Sequence, residues 1–312
     1  MRVVDLHCDT LYKHVVNHTP LDDPENEVQI DYSPEHRKLQ CYAIWLPDDY
    51  SDSKAESIVF QAAESLKSEC ERLNIRLIKR GERIRDLFEK NVNTAFFTIE
   101  NGKALNGKLE NIRAFSELGA KMMTLTWNAH NCIGDGADVI DSEGLTDFGK
   151  KTIGEMERVG MIIDISHASE KLFWDVAENT KRPFVASHSN ARSITEHRRN
   201  LSDSQIKEII KRHGLFGLNF HNAFLNDDPD EASLYDILRH TEHFLSLGGR
   251  DSLCFGSDFD GGVLPKDIQN SRIYDKIYEC FSKHHYSDRT IQKIFCDNAL
   301  NFFENFDNHG SL

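Results

Sequence analysis

The chain has 312 residues, is 39% hydrophobic and 10% aromatic, and can bury a large core as one big α/β domain or two smaller ones. Its formal net charge of -14 argues against nucleic acid or an anionic membrane as partner, because both require a basic surface to neutralise phosphates. Seven scattered cysteines with no C-x-x-C pair suggest neither a disulfide framework nor a zinc knuckle. With no secretory leader pattern and no apolar run near the roughly 20 residues of a membrane span, the expected location is the cytoplasm.

Arg2 to Asp9 reads as a first strand, apolar early and ionisable at its end, with His7 and Asp9 on one face because side chains two apart on a strand point the same way. Residues 11–36 read as a polar loop excursion, with Pro20, Pro24 and Pro34 opposing long helices. Leu39 to Leu46 predicts a second strand, and a helix follows from Ser53 with Ile58, Ala62, Leu66, Cys70 and Leu73 at helical spacing. Thr94 to Ile99 predicts a third strand that terminates in Glu100. A helix at about Leu109 to Leu118, a strand from Lys121 to Trp127 and a loop from Asn128 to Gly136 come next.

A helix over Asp147 to Val159 leads into the apolar run Ile162 to Ile165, which ends in Ser166-His167. After a helix from Ser169 to Asn179, a second such run, Phe184 to Ala186, ends in Ser187-His188. Ser202 and Gln205 form a capping-box signal for a helix reaching to His213. Leu215 to His221 predicts a seventh strand, Ala232 to Leu247 a helix, and Leu253 to Asp258 an eighth strand. Residues 271–312 supply terminal helices, around Tyr274 to Lys283 and Asp288 to Phe303.

Eight strands alternating with helices predict a single (β/α)8 TIM barrel over residues 1–312, with the chemistry at the C-terminal ends of the strands. A doubly wound sheet would need a glycine-rich turn after the first strand, and Leu6 to Thr10 has none. His7, Asp9, Glu100, His167, His188 and Asp258 then meet on one rim. One histidine at a strand end is more often a core residue than a ligand, but five strands ending alike makes chance a poor account. Mixed nitrogen and oxygen donors suit zinc, and six donors exceed one tetrahedral shell, so a two-metal site with a bridging carboxylate is expected. His240-Thr241-Glu242-His243 has the wrong spacing for a zincin helix, and His284-His285 reads as a solvated helix end.

The ordered set His7-x-Asp9, Glu100-x-Gly102, Asp164-x-Ser166-His167, Ser187-His188-Ser189, Arg198-Arg199-Asn200 and Gly256-Ser257-Asp258-Phe259-Asp260-Gly261 resembles the membrane (renal) dipeptidase family of the amidohydrolase superfamily. The resemblance runs from residue 1 to about residue 300. It implies a barrel holding two zinc ions, or another divalent metal, with His7 and Asp9 on one ion, His167 and His188 on the other, and Glu100 bridging. It further implies that a metal-bridging hydroxide attacks the peptide, that Asp258 is the acid/base carboxylate, and that Arg199 holds the terminal carboxylate of a dipeptide whose C-terminal residue can be a D-residue.

Two positions depart from that pattern. Trp127 stands where the family has a histidine that polarises the carbonyl, leaving His130 or Asn128 as replacements, and His221 stands where a tyrosine is expected. The expected partner is a small peptide, with homodimerisation left open. Another hydrolase of the same type, acting on N-acyl amino acids, lactones or modified peptides, is the first alternative. A non-catalytic metal-binding relic is the second, weakened because all six expected positions are filled.

Overall fold

Short apolar runs that can be buried on both faces become the staves of a closed ring. In a computed structural model that describes residues 1–30, 37–79, 82–88 and 93–308, these are β1 (Arg2–Cys8), β2 (Arg37–Trp45), β3 (Thr94–Glu100), β4 (Ala120–Thr124), β5 (Ile162–Asp164), β6 (Val185–Ala186), β7 (Leu215–Leu218) and β8 (Leu253–Phe255). Each strand pairs in parallel with the next, and Asp5 in register with Phe255 joins β8 to β1, so the barrel closes. The two-residue strand Arg76–Leu77 pairs beside the start of β3. This is the expected (β/α)8 barrel.

The helices cover the ring with their apolar stripes. Helix Asp52–Arg72 turns Ala55, Ile58, Val59, Ala62, Ala63, Leu66 and Cys70 inward, and Ser51 caps it by accepting from Lys54 N–H. Helix Asp203–Lys211 carries the expected reciprocal capping box between Ser202 and Gln205. Among the described residues, no helix is long and apolar enough to cross a membrane.

Three expectations are corrected. Residues 11–36 are not wholly a loop excursion: Thr10–Asn17 is a helix with Leu11 and Val15 buried and His18 closing it in the left-handed conformation. The nearest proline, at 20, lies beyond that helix and never opposed it. Residues 31–36 of that excursion, and 309–312 of the terminal span, lie outside the described residues. The terminal helix expected as one piece from Asp288 is instead Asp288–Gln292 and Asn298–Asn308, separated by a π-type turn at Lys293–Asp297.

The third correction places the site. The predicted strands from β4 to β8 leave the ladder two or three residues early, and at the ends of β5, β6 and β8 buried aspartates take over its hydrogen bonds. Asp164 Oδ1 accepts from the backbone N–H of Ser166 (3.0 Å) and Ser187 (2.9 Å), and its Oδ2 accepts from Thr124 Oγ1 at 2.7 Å. Across the ring, Asp5 Oδ1 accepts from Ser257 N–H at 2.9 Å and its Oδ2 from Ser257 Oγ and Tyr274 OH at 2.7 and 2.8 Å. These two carboxylates form a braced layer just below the strand ends, and the chain above it is free to turn inward.

Candidate metal centre

Six ionisable side chains turn in above that layer. His7 and Asp9 come from the end of β1, Glu100 ends β3, and His167, His188 and Asp258 lie two or three residues past β5, β6 and β8. His167 and Asp258 both adopt left-handed backbone, at φ 66° and 64°, which is uncommon outside glycine and here aims both side chains at the barrel axis. Gly261 keeps the neighbouring loop close, since a Cβ there would collide with Asp9 Oδ2.

Hydrogen bonds on the far side of the rings assign the tautomers. His167 Nδ1 lies 2.7 Å from Asn128 Oδ1, an acceptor only, so Nδ1 carries the proton. Ser187 Oγ–H donates to Asp164 Oδ2 at 2.5 Å, so it receives the His188 Nδ1–H, 2.7 Å away. Both Nε2 lone pairs are therefore bare, and they face each other at 3.0 Å. Burial, aided by Arg199, lowers the pKa of His167, and burial with His7 and Arg199 lowers that of His188, so both rings are neutral. Two neutral lone pairs pointed together repel unless a cation lies between them.

Glu100 completes two donor sets. Its Oε1 lies 2.8 Å from His167 Nε2 and 3.7 Å from His188 Nε2, while its Oε2 lies 3.4 Å from His7 Nε2. One oxygen faces each set. His7 Nε2 is also 3.4 Å from Asp9 Oδ2 and 3.7 Å from Asp258 Oδ1, and the triads His7–Asp9–Glu100 and Glu100–His167–His188 each bring their donor atoms within 4.8 Å of one another. Among the described residues, His7 Nε2 and Asp9 Oδ1 are buried without a hydrogen-bond partner. Burial works against the His7 charge, but the carboxylates of Glu100 and Asp9 outweigh it and raise the pKa. Burial and Glu100 push Asp9 up to about 7 against the pull of His7, whereas His7 and His167 hold Glu100 below the usual range despite its burial. Orphaned donors and surplus negative charge fit a pair of divalent ions.

The remaining expected residues divide. Arg199 lines the cleft above the donors, buried in its guanidinium; among the described residues its Nε is unpartnered and its Nη atoms make only long contacts, to Ser189 Oγ (3.5 Å) and His188 O (3.4 Å). Trp127, Asn128 and His221 also line it. His130 does not: its side chain is 64% exposed and its Nδ1 pairs with Asp135 Oδ1 at 2.6 Å. The expectation of His130 as a substrate residue is corrected by the loop itself, which Asn131 turns back by accepting from Ile133 N–H and donating to Leu125 O. His240 is a buried core residue, bonded to the backbone of Ala191 and Leu225.

Sequence reasoning missed one side of the cleft. Tyr12 and Lys13 of the unforeseen helix, Glu25 and Glu27 of the following turn, Trp45 at the end of β2, Phe224 and Asp260 all line it. Leu11 and Val15, four apart with Lys13 and His14 between them, were the available sign of that helix. The Asp260 side chain is wholly buried and accepts from Thr10 Oγ1 (2.6 Å), Lys13 Nζ (2.8 Å) and Glu27 N–H (3.0 Å), which ties the segment to the loop after β8.

The chain is similar to known proteins over most of its length. The model of the membrane dipeptidase family (peptidase family M19) matches residues 1–310. The dipeptidase AC, a metallo peptidase of family M19, superposes with a TM-score of 0.89 at 25% identity, covering 97% of this chain and 98% of that one. A metallo peptidase from Rhodobacter sphaeroides, solved with a phosphinate mimic of the dipeptide L-Ala-D-Ala, superposes with a TM-score of 0.88 at 24% identity, covering 97% and 99%. An uncharacterised protein in the pqqA 5' region of Klebsiella pneumoniae is 32% identical over 216 residues, 66% of this chain and 80% of its own length. With the family matched over nearly the whole chain and its donors gathered at the barrel mouth, the protein belongs to the membrane dipeptidase family and is a metal-dependent dipeptidase.

Proposed function

We propose that the centre holds two zinc ions and cleaves dipeptides bearing a free C-terminal carboxylate, with either an L- or a D-residue at that end. The observation that carries the reading is the division of Glu100, one oxygen toward His167 and His188 and the other toward His7. His7 and Asp9 would hold one ion, His167 and His188 the other, and Glu100 would bridge. When bound, two such ions supply charge that brings the pKa of water to roughly 7 and polarises the scissile carbonyl.

The chain's own residues do the rest. Asp258 Oδ2 is held by Asn219 Nδ2–H at 2.9 Å, which leaves Oδ1 facing the donors to take a proton and return it to the leaving amine. Arg199 offers its unpartnered guanidinium edge to the substrate carboxylate, steadied by Phe224 at 5.4 Å from its Cζ. Anchoring by the carboxylate alone supports acceptance of both configurations, because inversion at the C-terminal Cα swaps a side chain and a hydrogen inside a cleft of about 510 Å³. The test is turnover of L,L- and L,D-dipeptides by protein reconstituted with zinc, beside a metal count. Two ions and hydrolysis of both series are expected; hydrolysis with one ion would refute the binuclear form.

A further inference from the structure

The direction in which a dipeptide crosses the mouth is set by ring position. Arg199 belongs to the loop after β6, and the strand diametrically opposite β6 in an eight-stave ring is β2, which ends in Trp45. With the carboxylate on Arg199 and the peptide bond over the donors, the amino-terminal side chain points to the β1–β2 side. This orientation rests on the proposed dipeptidase function and on the role of Arg199 in it.

The β1–β2 side is built from two kinds of surface. Tyr12, Trp45 and Trp127 form a continuous aromatic wall, with ring centroids 4.8 Å apart for Tyr12–Trp45 and 5.0 Å for Trp45–Trp127, and the wall continues to His167 at 6.1 Å. The same cleft is lined by Glu25, Glu27 and Asp260, and among the described residues the cations lining it are Lys13, already paired to Asp260, and Arg199. Glu25 is exposed at the rim, while Glu27 is half-buried with its Oε2 accepting from the Asp260 N–H, which leaves Oε1 to meet a ligand. The wall is too acidic for an aliphatic side chain and too aromatic for a small polar one. A planar or compact cation satisfies both, stacking on the π faces while its N–H groups reach the carboxylates.

We propose that the protein selects dipeptides whose amino-terminal residue carries a cationic side chain, a guanidinium or ammonium, held between the Tyr12–Trp45–Trp127 wall and the carboxylates of Glu25 and Glu27. Trp127 is thereby part of a specificity surface. The α-ammonium of the substrate is not the occupant, because it is bonded directly to the Cα next to the scissile carbonyl and is held there beside the reacting bond.

The test compares Arg-Ala with citrulline-Ala, which keeps the shape and removes the charge, and Lys-Ala with norleucine-Ala, using zinc-reconstituted enzyme at pH 8. The expected kcat/KM ratio of cationic to neutral substrate is about tenfold or more, between the values of an exposed and a desolvated cation–π contact. Glu25→Gln, at an exposed position, should reduce that ratio several-fold, and Glu27→Gln should reduce it further. A ratio near one in the wild type overturns the inference while leaving the dipeptidase reading intact, as does a ratio that both variants leave unchanged. Preference for norleucine over lysine would assign the wall to apolar side chains instead. No turnover of any dipeptide by the two-ion protein would overturn the proposed function and this inference together.

Discussion

Asn219 donates its Nδ2–H to Asp258 Oδ2 at 2.9 Å and fixes which oxygen of that carboxylate faces the metal donors. Asp258 Oδ1 stands 3.7 Å from His7 Nε2, outside ordinary hydrogen-bond reach. A carboxylate so oriented moves protons, so Asp258→Asn is expected to lower kcat by on the order of 100-fold or more with metal content nearly intact. Elemental analysis of the same preparation checks the second half; loss of an ion would make Asp258 a primary ligand. Asn219→Ala should cost less, since it removes the orientation and keeps the acid.

Metal removal separates the two donor sets. Glu100→Gln is expected to weaken both ions together, whereas His167→Ala should chiefly empty one. Asn128→Ala takes away the acceptor that fixes the His167 tautomer at 2.7 Å, and loss of such an outer partner typically costs 10–100-fold in metal affinity. Competition with a chelator should therefore show one weakened ion and one unchanged. Equal weakening of both would place Asn128 elsewhere in the network.

Arg199→Lys should raise KM for dipeptides and leave kcat comparatively unaffected. A lysine keeps the charge but offers a point donor in place of a planar fork. Steady-state kinetics on one dipeptide is sufficient, and an unchanged KM would remove Arg199 from carboxylate binding.

The side chains of the candidate metal centre were legible in the sequence because each follows an apolar run at a strand end, so local pattern and global position coincide at His7, Glu100, His167, His188 and Asp258. Their reach was not. The strands were expected to carry the ligands directly, but Asp5 and Asp164 terminate the ladder with side-chain hydrogen bonds that link residues far apart in sequence, such as Asp5 with Ser257. The acidic and aromatic side of the cleft was hidden for a related reason. Tyr12, Glu27 and Trp45 become neighbours of one cleft only through the closure of the ring and the anchoring of Asp260 to Thr10 and Lys13. His130 shows the reverse error, where closeness in sequence to Trp127 suggested a role that the turn at Asn131 denies.

Glu27 gives stability a pH signature. Burial, reinforced by the Asp260 carboxylate, pushes its carboxyl up to about 7, against the Asp260 N–H and Lys13. A carboxyl with a folded pKa above its unfolded value near 4.3 favours folding while protonated; that advantage is full below about 4.3 and lost as pH rises through about 7. Glu27→Gln stays neutral throughout. Its Tm relative to the wild type is therefore expected to climb between pH 5 and pH 8, by about 2 °C or more at the upper end. A difference constant across that range would mean Glu27 is solvated like an ordinary surface carboxylate.

Trp127 and His130 give the sharpest pair of variants. A histidine at the end of β4 can donate to the oxyanion that develops on the carbonyl, and one such donor is worth roughly 3 kcal/mol. Trp127 instead stands against Trp45 with ring centroids 5.0 Å apart and lines the cleft, where its bulk narrows the space above the donors. Trp127→His is accordingly expected to raise kcat on small neutral dipeptides such as Ala-Ala, by on the order of 100-fold where it fully restores the donor, while eroding any preference set by the aromatic wall. His130→Ala should retain activity, because His130 is turned to Asp135 and is absent from the cleft lining. Measuring both variants on one substrate series decides the matter. A crippled His130→Ala would show that the loop reorganises to bring His130 over the substrate, and an inert Trp127→His would show that the oxyanion is already met by another donor of the cleft.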